Sequence, residues 1–226
     1  MSLLQVDSIR KSWNQSPILT DVFLTCTTGE VVGLLGRNGS GKSTLFRIIY
    51  GDVSSESRFV KVDQTVLNSL SATRRHLNYL PEHPFLPGGL TVAEVLRCLG
   101  QKDWPGTGKK ETFLLALLPK KVRDLSFGER RFVEIMTVLN GTGSFVLLDE
   151  PFKGLGPLIK EQIVCQIGRV KSRKGILVTD HDASEILAIS DKILLLGRGY
   201  LRKIKNPKEL IDGGYLPRGF PNVSQN

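Results

Sequence analysis

One segment, GRNGSGKST at residues 36–44, constrains the fold of this chain more than any other feature of its sequence. It satisfies the pattern G-x-x-x-x-G-K-[ST] and lies between an apolar run, Val31–Leu35, and a segment of helical periodicity, Lys42–Tyr50. Its glycines allow the backbone to curl so that successive N–H groups point inward, and the following helix N-terminus adds positive potential. The segment therefore predicts a strand–loop–helix unit that binds phosphate. The candidate phosphate-binding residues are Gly36, Asn38, Gly39, Ser40, Gly41, Lys42, Ser43 and Thr44.

Four side chains near two apolar runs suit the chemistry of a nucleoside triphosphate. Lys42 is expected to reach the β and γ phosphates, and the Ser43 hydroxyl is expected to bind Mg²⁺. The apolar run Phe145–Leu148 ends in Asp149 and Glu150, and a buried strand delivers such carboxylates to the sheet edge where α/β proteins bind ligands. Asp149 would there hold Mg²⁺ through water, and Glu150 would polarise the attacking water as a general base. The competing interpretation of this pair is an acidic turn after a core strand.

Short apolar runs of β character alternate with segments of helical periodicity along the chain. The predicted strands are Leu3–Ile9, Ile18–Thr25, Glu30–Leu35, Arg58–Val62, Ser144–Asp149, Gly175–Asp180 and Lys192–Leu196. The predicted helices are Lys42–Tyr50, Thr91–Leu99, Gly128–Leu139, Leu158–Lys171 and Ala183–Ile189. This alternation predicts an α/β fold with a mainly parallel sheet, and the first two strands could form a separate N-terminal antiparallel β layer. Pro84–Leu125 contains no predicted strand, so we interpret residues from about 84 to 140 as a helical insertion in a single domain spanning 1–226.

The chain carries 31 Lys and Arg against 22 Asp and Glu, a formal net charge of +9. The excess lies in two segments: residues 101–131 hold eight basic and four acidic side chains, and residues 192–226 hold seven and two. The second segment ends in a short basic extension from about residue 206 to 226. Such charge suits nucleic acid, an anionic membrane surface or polyphosphate ligands. The longest apolar run has six residues, far below the ~20 of a spanning helix, and three scattered cysteines favour a reducing, cytoplasmic setting.

The segment Leu125–Arg131, LSFGERR, precedes a predicted helix and lies 24 residues before Asp149. Taken alone it predicts only a serine cap followed by a helix. Two further segments lie on either side of it: Tyr79–Glu82, YLPE, comes before it, and Gly154–Pro157, GLGP, comes after it. Together the three resemble the signature, Q-loop and D-loop of ATP-binding cassette (ABC) proteins, and the resemblance extends from about residue 3 to residue 210. It implies a P-loop NTPase fold of the ABC-type nucleotide-binding domain, with a helical subdomain inserted in it.

The resemblance also implies roles for residues outside the phosphate loop. Trp13 lies where the family places an aromatic residue that stacks on adenine, the alternative being a half-buried edge aromatic. His181 follows a predicted strand like the family's switch histidine, and could bond the γ phosphate or the attacking water. Ser126 and Gly128 would serve the opposite subunit, so that two ATP molecules lie between two head-to-tail chains.

Three positions depart from the family's pattern. Glu82 stands where the family usually has Gln, and its carboxylate still offers oxygen, so that it would bind Mg²⁺ with Ser43 and Asp149. Phe127 replaces the first glycine of the signature, and Gly156 replaces the D-loop aspartate. We therefore expect an active ATPase of reduced rate.

Most single cassettes of this length power a membrane-spanning subunit encoded as a separate chain, so the resemblance implies the ATP-hydrolysing subunit of an ABC transporter. Its partners would be that subunit and a second cassette, in a homodimer or a heterodimer, on the cytoplasmic face of the membrane. The alternatives are a soluble ABC ATPase acting on nucleic acid or the ribosome, and a degenerate nucleotide-binding regulator. The sequence has one cassette, no heptads and no cysteine pairs at metal spacing, which disfavours nucleic acid. The basic segments are interpreted as surfaces facing the membrane partner or anionic headgroups, or as solvated helix faces.

Overall fold

Two sheets form the framework of the computed structural model, which describes residues 1–98, 112–217 and 220. The strands are β1 (Leu3–Trp13), β2 (Ser16–Thr27), β3 (Val31–Gly36), β4 (Ser57–Val62), β5 (Thr65–Val66), β6 (Leu77–Leu80), β7 (Phe145–Asp149), β8 (Gly175–Thr179), β9 (Lys192–Gly197) and β10 (Tyr200–Ile204). The larger sheet has the order β10-β9-β3-β8-β7-β6, and its pairs are parallel apart from β9–β10. The predicted mainly parallel sheet is confirmed.

The first two strands belong to a smaller sheet of order β2-β1-β4-β5, in which the pairs are antiparallel. β1 and β2 are joined by the turn Asn14–Gln15, whose residues have φ angles of 46° and 67°. Two-residue hairpin loops favour such positive φ angles because they match the twist of the flanking strands. The predicted antiparallel layer is therefore confirmed, and both strands run further into the hairpin than their apolar cores indicate.

Helices cover the face of the larger sheet that lies away from the smaller sheet. Helical residues also fill the space between the two sheets. The helices are α1 (Lys42–Tyr50), α2 (Leu70–His76), α3 (Val92–Cys98), α4 (Thr112–Leu117), α5 (Phe127–Leu139), α6 (Pro157–Lys171), α7 (Ala183–Ile189) and α8 (Lys208–Asp212), with a 3₁₀ turn at Val122–Asp124. Alternate residues of β7 enter different cores: Val146 and Leu148 pack with α5 and α6, whereas Phe145 and Leu147 pack with α1 and the smaller sheet. Because both faces of the sheet are covered, its carboxyl edge is the part free to bind a ligand.

In its described part, the segment from residue 84 to 140 contains helices joined by turns and loops, and residues 84–91 precede the first of these helices. It holds α3, α4, the 3₁₀ turn and α5, and its β pairing is limited to one isolated bridge between Thr91 and Lys121 in the described part. Residues 101–111 of the first basic segment lie outside the described residues, as do 218–219 and 221–226 of the C-terminal extension. The domain limits at 84–140 and 206–226 stay predictions. No helix in the described part is long and apolar enough to cross a membrane.

Several short elements are not predicted from the sequence. β6 has four residues and includes the polar Asn78, and β10 is an edge strand that carries the adjacent basic residues Arg202 and Lys203. α2, α4 and α8 have seven, six and five residues, too few for helical periodicity to be decisive. These elements depend on pairing and packing with distant parts of the chain rather than on local pattern.

Candidate functional site

The phosphate loop connects the end of β3 at Gly36 to the start of α1 at Lys42, as predicted. Two positions of the loop require glycine because atoms of neighbouring strands lie too close for a Cβ. Gly41 has a φ of 100°, and a Cβ there would lie 2.8 Å from Ile18 Cγ2. A Cβ at Gly36 would lie 2.8 Å from the carbonyl oxygen of Leu196 on β9. The loop is thus pressed against two neighbouring strands, which only glycine permits at these positions.

A cavity of about 440 Å³ borders this loop. Its lining residues come from β2, from the phosphate loop with the start of α1, and from the segments after β6, β7 and β8: Ile18, Asn38, Gly39, Ser40, Gly41, Lys42, Ser43, Thr44, Glu82, Glu150, Lys153 and His181. Parallel strands carry their carboxyl ends to one edge of a sheet, which explains why segments distant in sequence meet here. The structure therefore brings Glu82, Glu150 and His181 to the phosphate loop.

Two polar groups of the loop suit an anion. The Lys42 side chain is buried, and its Nζ donates to the carbonyl oxygens of Gly36 and Arg37 at 2.8 and 3.4 Å. Burial lowers the pKa of Lys42, while nearby carboxylates, Glu150 foremost, oppose that shift. Ser40 Oγ is buried and has no hydrogen-bond partner among the described residues. A phosphate would satisfy both groups, because it offers an ionised acceptor to each.

Asp149 lies beside Ser43 at the end of β7. Ser43 Oγ donates to Asp149 Oδ1 at 3.0 Å, and Tyr79 Oη donates to Oδ2 at 3.2 Å. Burial raises the pKa of Asp149 to about 6, although both hydrogen bonds act against that rise. A hydroxyl and a carboxylate side by side are the hard oxygen donors that Mg²⁺ prefers. Since the described residues hold no cluster of three or more potential metal-binding His, Cys, Asp or Glu, phosphate oxygens and water would have to complete the shell.

We expect Asp149→Asn to stabilise the nucleotide-free protein at neutral pH. The pKa of this carboxyl is higher in the folded state than in the unfolded state, so the folded protein binds more protons between about pH 4 and 6. The contribution of this carboxyl to stability therefore falls as the pH rises through that interval, and Asn removes that loss. The variant should gain about 2 kcal/mol in free energy of unfolding at about pH 7.5, and much less at about pH 4. Urea denaturation at both pH values measures this difference.

Asp52→Asn is the matched control for that measurement. Asp52 is exposed after α1 and pairs with Arg47 at 3.0 Å. An exposed pair of this kind contributes at most about 1 kcal/mol, so this variant should show no comparable gain. A wild-type protein as stable as Asp149→Asn at neutral pH would contradict the prediction.

Glu150 occupies a strained turn after β7. Its φ is 48°, a conformation that residues other than glycine rarely adopt. The Glu150 N–H donates to the carbonyl oxygen of Thr179 at 2.8 Å, and the buried Arg131 guanidinium donates to the carbonyl oxygens of Asp149 and Glu150 at 2.8 and 3.3 Å. These contacts fix the turn and place the Glu150 side chain in the cavity wall, with its Oε2 2.9 Å from Lys153 Nζ. Such imposed strain is typical of functional positions.

His181 lines the same cavity and is oriented by Asp180. Its Nδ1 lies 3.1 Å from Asp180 Oδ1. Asp180 is fully buried, accepts hydrogen bonds from the backbone N–H groups of Phe152 and Asp182, and has its pKa raised by burial. With Nδ1 engaged, Nε2 is the nitrogen left for a phosphate oxygen or a water molecule.

Trp13 is not among the residues that line the cavity. It ends β1 with 52% of its surface exposed, and Lys11 Nζ lies 4.6 Å from the centre of its ring. The neighbouring strand β2 does supply Ile18 to the cavity wall. Adenine stacking on Trp13 stays a prediction.

The signature residues also lie outside the cavity of their own chain. Ser126 caps α5: its Oγ accepts from the Glu129 N–H at 3.3 Å, and its N–H donates to Glu129 Oε2 at 2.8 Å. Gly128 lies against α6, where a Cβ would come within 2.6 Å of Ile159 Cδ1. The structure thus shows the capping box that the motif predicts when it is taken alone.

Four residues at the site were not assigned roles from the sequence. Lys153 comes three residues after Glu150 in an otherwise uncharged segment, and that isolated charge is the available signal. Arg131 and Glu134 form a buried ion pair at 3.4 Å, which charges within a largely apolar helix could have indicated. Tyr79 belongs to the segment YLPE, but nothing in the sequence indicated its hydrogen bond to Asp149.

Comparison with known proteins identifies the family. The sequence profile of the ABC transporter family matches residues 19–153. The lipopolysaccharide export system ATP-binding protein LptB from Acidithiobacillus ferridurans is 34% identical over 223 residues, covering 93% of this chain and 92% of that protein. LptB from Escherichia coli (strain K12) is 31% identical over 234 residues and 97% of each chain. These relatives support the transporter interpretation and not the nucleic-acid alternative.

Solved structures agree with the sequence relatives. A structure described as the ATP binding subunit of an ABC transporter superposes with a TM-score of 0.80 at 26% identity, covering 94% of this chain and 93% of that one. A dimeric post-hydrolysis ATP-binding cassette, MJ0796 bound to ADP and Pi, has a TM-score of 0.74 at 22% identity, covers 89% of this chain and 97% of that one, and shares the fold. The chain therefore belongs to the ABC transporter family, as a subunit that binds and hydrolyses ATP.

Proposed function

We propose that this chain hydrolyses Mg-ATP within a head-to-tail pair of cassettes and that the pair drives a separate membrane-spanning subunit. One observation carries the proposal: the phosphate-loop cavity is lined without the signature residues of its own chain. Ser126 is exposed, and Phe127 beside it is 58% exposed. A second chain would supply these residues to each site, and a two-fold pair would build both sites from the same two surfaces.

Within each site we assign the residues as follows. Lys42 and the loop N–H groups bind the β and γ phosphates. Ser43 and Asp149 hold Mg²⁺, with Glu82 at the cavity wall, and the ion supplies charge neutralisation when bound. Glu150 accepts a proton as the water oxygen attacks the γ-phosphorus, and the bond to the bridging oxygen breaks to release ADP.

Two further residues complete the proposed nucleotide site. His181 contacts the γ phosphate or the attacking water through its free nitrogen. Trp13 offers a half-exposed ring at the end of the strand next to β2, which supports adenine stacking there.

The proposed membrane partner docks on the segment after β6, on the cytoplasmic face of the membrane. Phe85 in this segment is 44% exposed, whereas the adjacent Leu86 is buried in the core. Leu86 therefore anchors the segment in the core, and Phe85 is exposed where a partner could contact it. Part of the positive charge nearby is internally paired, since Lys120 Nζ lies 2.9 Å from Glu129 Oε1.

Mixing two inactive variants tests the head-to-tail pair. Lys42→Met removes the phosphate-binding cation, and Ser126→Asp keeps a good helix cap while placing a negative charge toward the partner's triphosphate. Each variant alone should be inactive, because both sites of its pair carry the defect. A mixed pair has one doubly defective site and one intact site, so an equimolar mixture should recover about a quarter of wild-type turnover.

The measurement is ATP turnover of each variant alone and of the mixture, at concentrations where pairs form. Nucleotide retained per pair is counted in parallel, so that one filled site is detected independently of turnover. A mixture no more active than its components, with no retained nucleotide, would contradict the head-to-tail arrangement. That result would not contradict nucleotide binding at the Lys42 site of a single chain.

A further inference from the structure

Lys153 forms an ionic bridge between two carboxylates of the nucleotide cavity. Its Nζ lies 2.5 Å from Glu82 Oε1 and 2.9 Å from Glu150 Oε2. Glu82 follows β6 and Glu150 follows β7, so the bridge ties together two segments that are far apart in sequence. All three side chains line the cavity with the phosphate loop.

The charge of the cavity gives this bridge its importance. Glu82, Asp149 and Glu150 contribute three carboxylates to one end of the cavity and its immediate border, where a triphosphate would add further negative charge. Lys42 and Lys153 are the cations among the described lining residues. Without Lys153, Glu82 and Glu150 would lose the cation that contacts both of them, and repulsion between like charges would oppose binding of the triphosphate.

Lys153 is well placed to keep this role when nucleotide is bound. Half of its side-chain surface is exposed, against 13% for Glu150 and 33% for Glu82. The flexible lysine stem allows the ammonium to retain Glu82 while it adjusts to a phosphate oxygen. Its pKa is raised by the hydrogen bond to Glu82 first and by Glu150 second, so it stays charged at neutral pH.

We propose that Lys153 is a positioning residue of the nucleotide site, which neutralises Glu82 and anchors Glu150 so that a carboxylate at position 82 is compatible with triphosphate binding. The inference rests on the proposed function, since it takes the roles of the cavity and of Glu150 from there. It makes the tolerance of the Glu82 charge depend on Lys153.

A double-mutant cycle tests the pair through affinity for the non-hydrolysable analogue Mg-AMP-PNP, measured by calorimetry. Lys153→Met removes the charge and keeps the side-chain volume, and should weaken binding about fivefold. Glu82→Gln/Lys153→Met should bind within about twofold of wild type, because the carboxylate that opposed the triphosphate is gone. Lys153→Arg keeps the charge and should also bind like wild type. If Lys153→Met caused the same loss of affinity in wild-type protein and in the Glu82→Gln variant, the proposal would be overturned.

Turnover gives a second readout with a different expected pattern. It should fall about fivefold in Lys153→Met and stay low in the double variant, because the anchor of Glu150 is lost in both.

Lys160→Met is the matched control: Lys160 Nζ also lies near two carboxylates, Glu185 at 2.9 Å and Asp182 at 3.7 Å, but it does not line the cavity. A full recovery of turnover in the double variant, or equal losses in Lys160→Met, would also overturn the proposal. Failure of the proposed function would show separately, as wild-type protein that does not bind Mg-AMP-PNP.

Discussion

Glu150→Gln is expected to lower ATP turnover by about a thousandfold, the usual contribution of a positioned general base. The amide matches the carboxylate in size but cannot accept the proton of the attacking water. The turn that holds residue 150 depends on backbone contacts with Thr179 and Arg131, so the variant should keep its geometry. Mg-ATP binding should therefore persist, and nucleotide should accumulate unhydrolysed between paired chains.

Phosphate release under multiple turnover and ATP retained after gel filtration are the two measurements. Glu161→Gln is the control, since Glu161 is an exposed carboxylate on α6 away from the phosphate-loop cavity. It should hydrolyse ATP at the wild-type rate. Equal turnover in wild type and Glu150→Gln would show that another group takes the proton.

Lys42→Met is expected to weaken Mg-ATP binding by about a hundredfold, because a charge-assisted contact with the phosphates is lost. Methionine has a similar volume and avoids the desolvation that lowers the pKa of the buried ammonium. The folded state should therefore be at least as stable as that of wild type. Calorimetric titration with Mg-ATP measures the affinity, and thermal unfolding reports on the fold.

Arg37→Ala separates the effect of Lys42 from general loss of positive charge in the loop. Arg37 is exposed, its guanidinium donates to the carbonyl oxygen of Gly214 at 3.3 Å, and it does not line the cavity. Its removal should change nucleotide affinity by less than about threefold. Comparable losses for the two variants would mean that the loop acts through net charge and not through one positioned ammonium.

Much of the fold could be predicted because its signals are local. The bounds of α1 and α7 agree with the helical periodicity, and buried strands such as β7 are apolar at nearly every position. β6 and β10 could not be predicted in this way, since each is short and partly polar and exists through pairing with one neighbouring strand. The two-sheet arrangement could be predicted because β1 and β2 come before the alternating strands and helices of the larger sheet.

The candidate site was partly predictable for the same reason. Phosphate-loop residues act through the local conformation of one loop, so their motif is sufficient to find them. The carboxylates at 149 and 150 were found because a buried strand must end at the binding edge. Lys153 was not found, because its role is defined by Glu82, which is distant in sequence and comes close only when β6 and β7 pair.

Local patterns in the sequence are sufficient to predict a phosphate loop, two carboxylates at a strand end and an α/β framework. Those features are set by glycine conformation and by the burial of apolar residues, which act over a few residues. Which side chains meet depends on the folded arrangement of the strands, which places Lys153 between Glu82 and Glu150 and leaves Ser126 outside the cavity of its own chain. Contacts of this kind depend on strand order, which sequence spacing does not reveal.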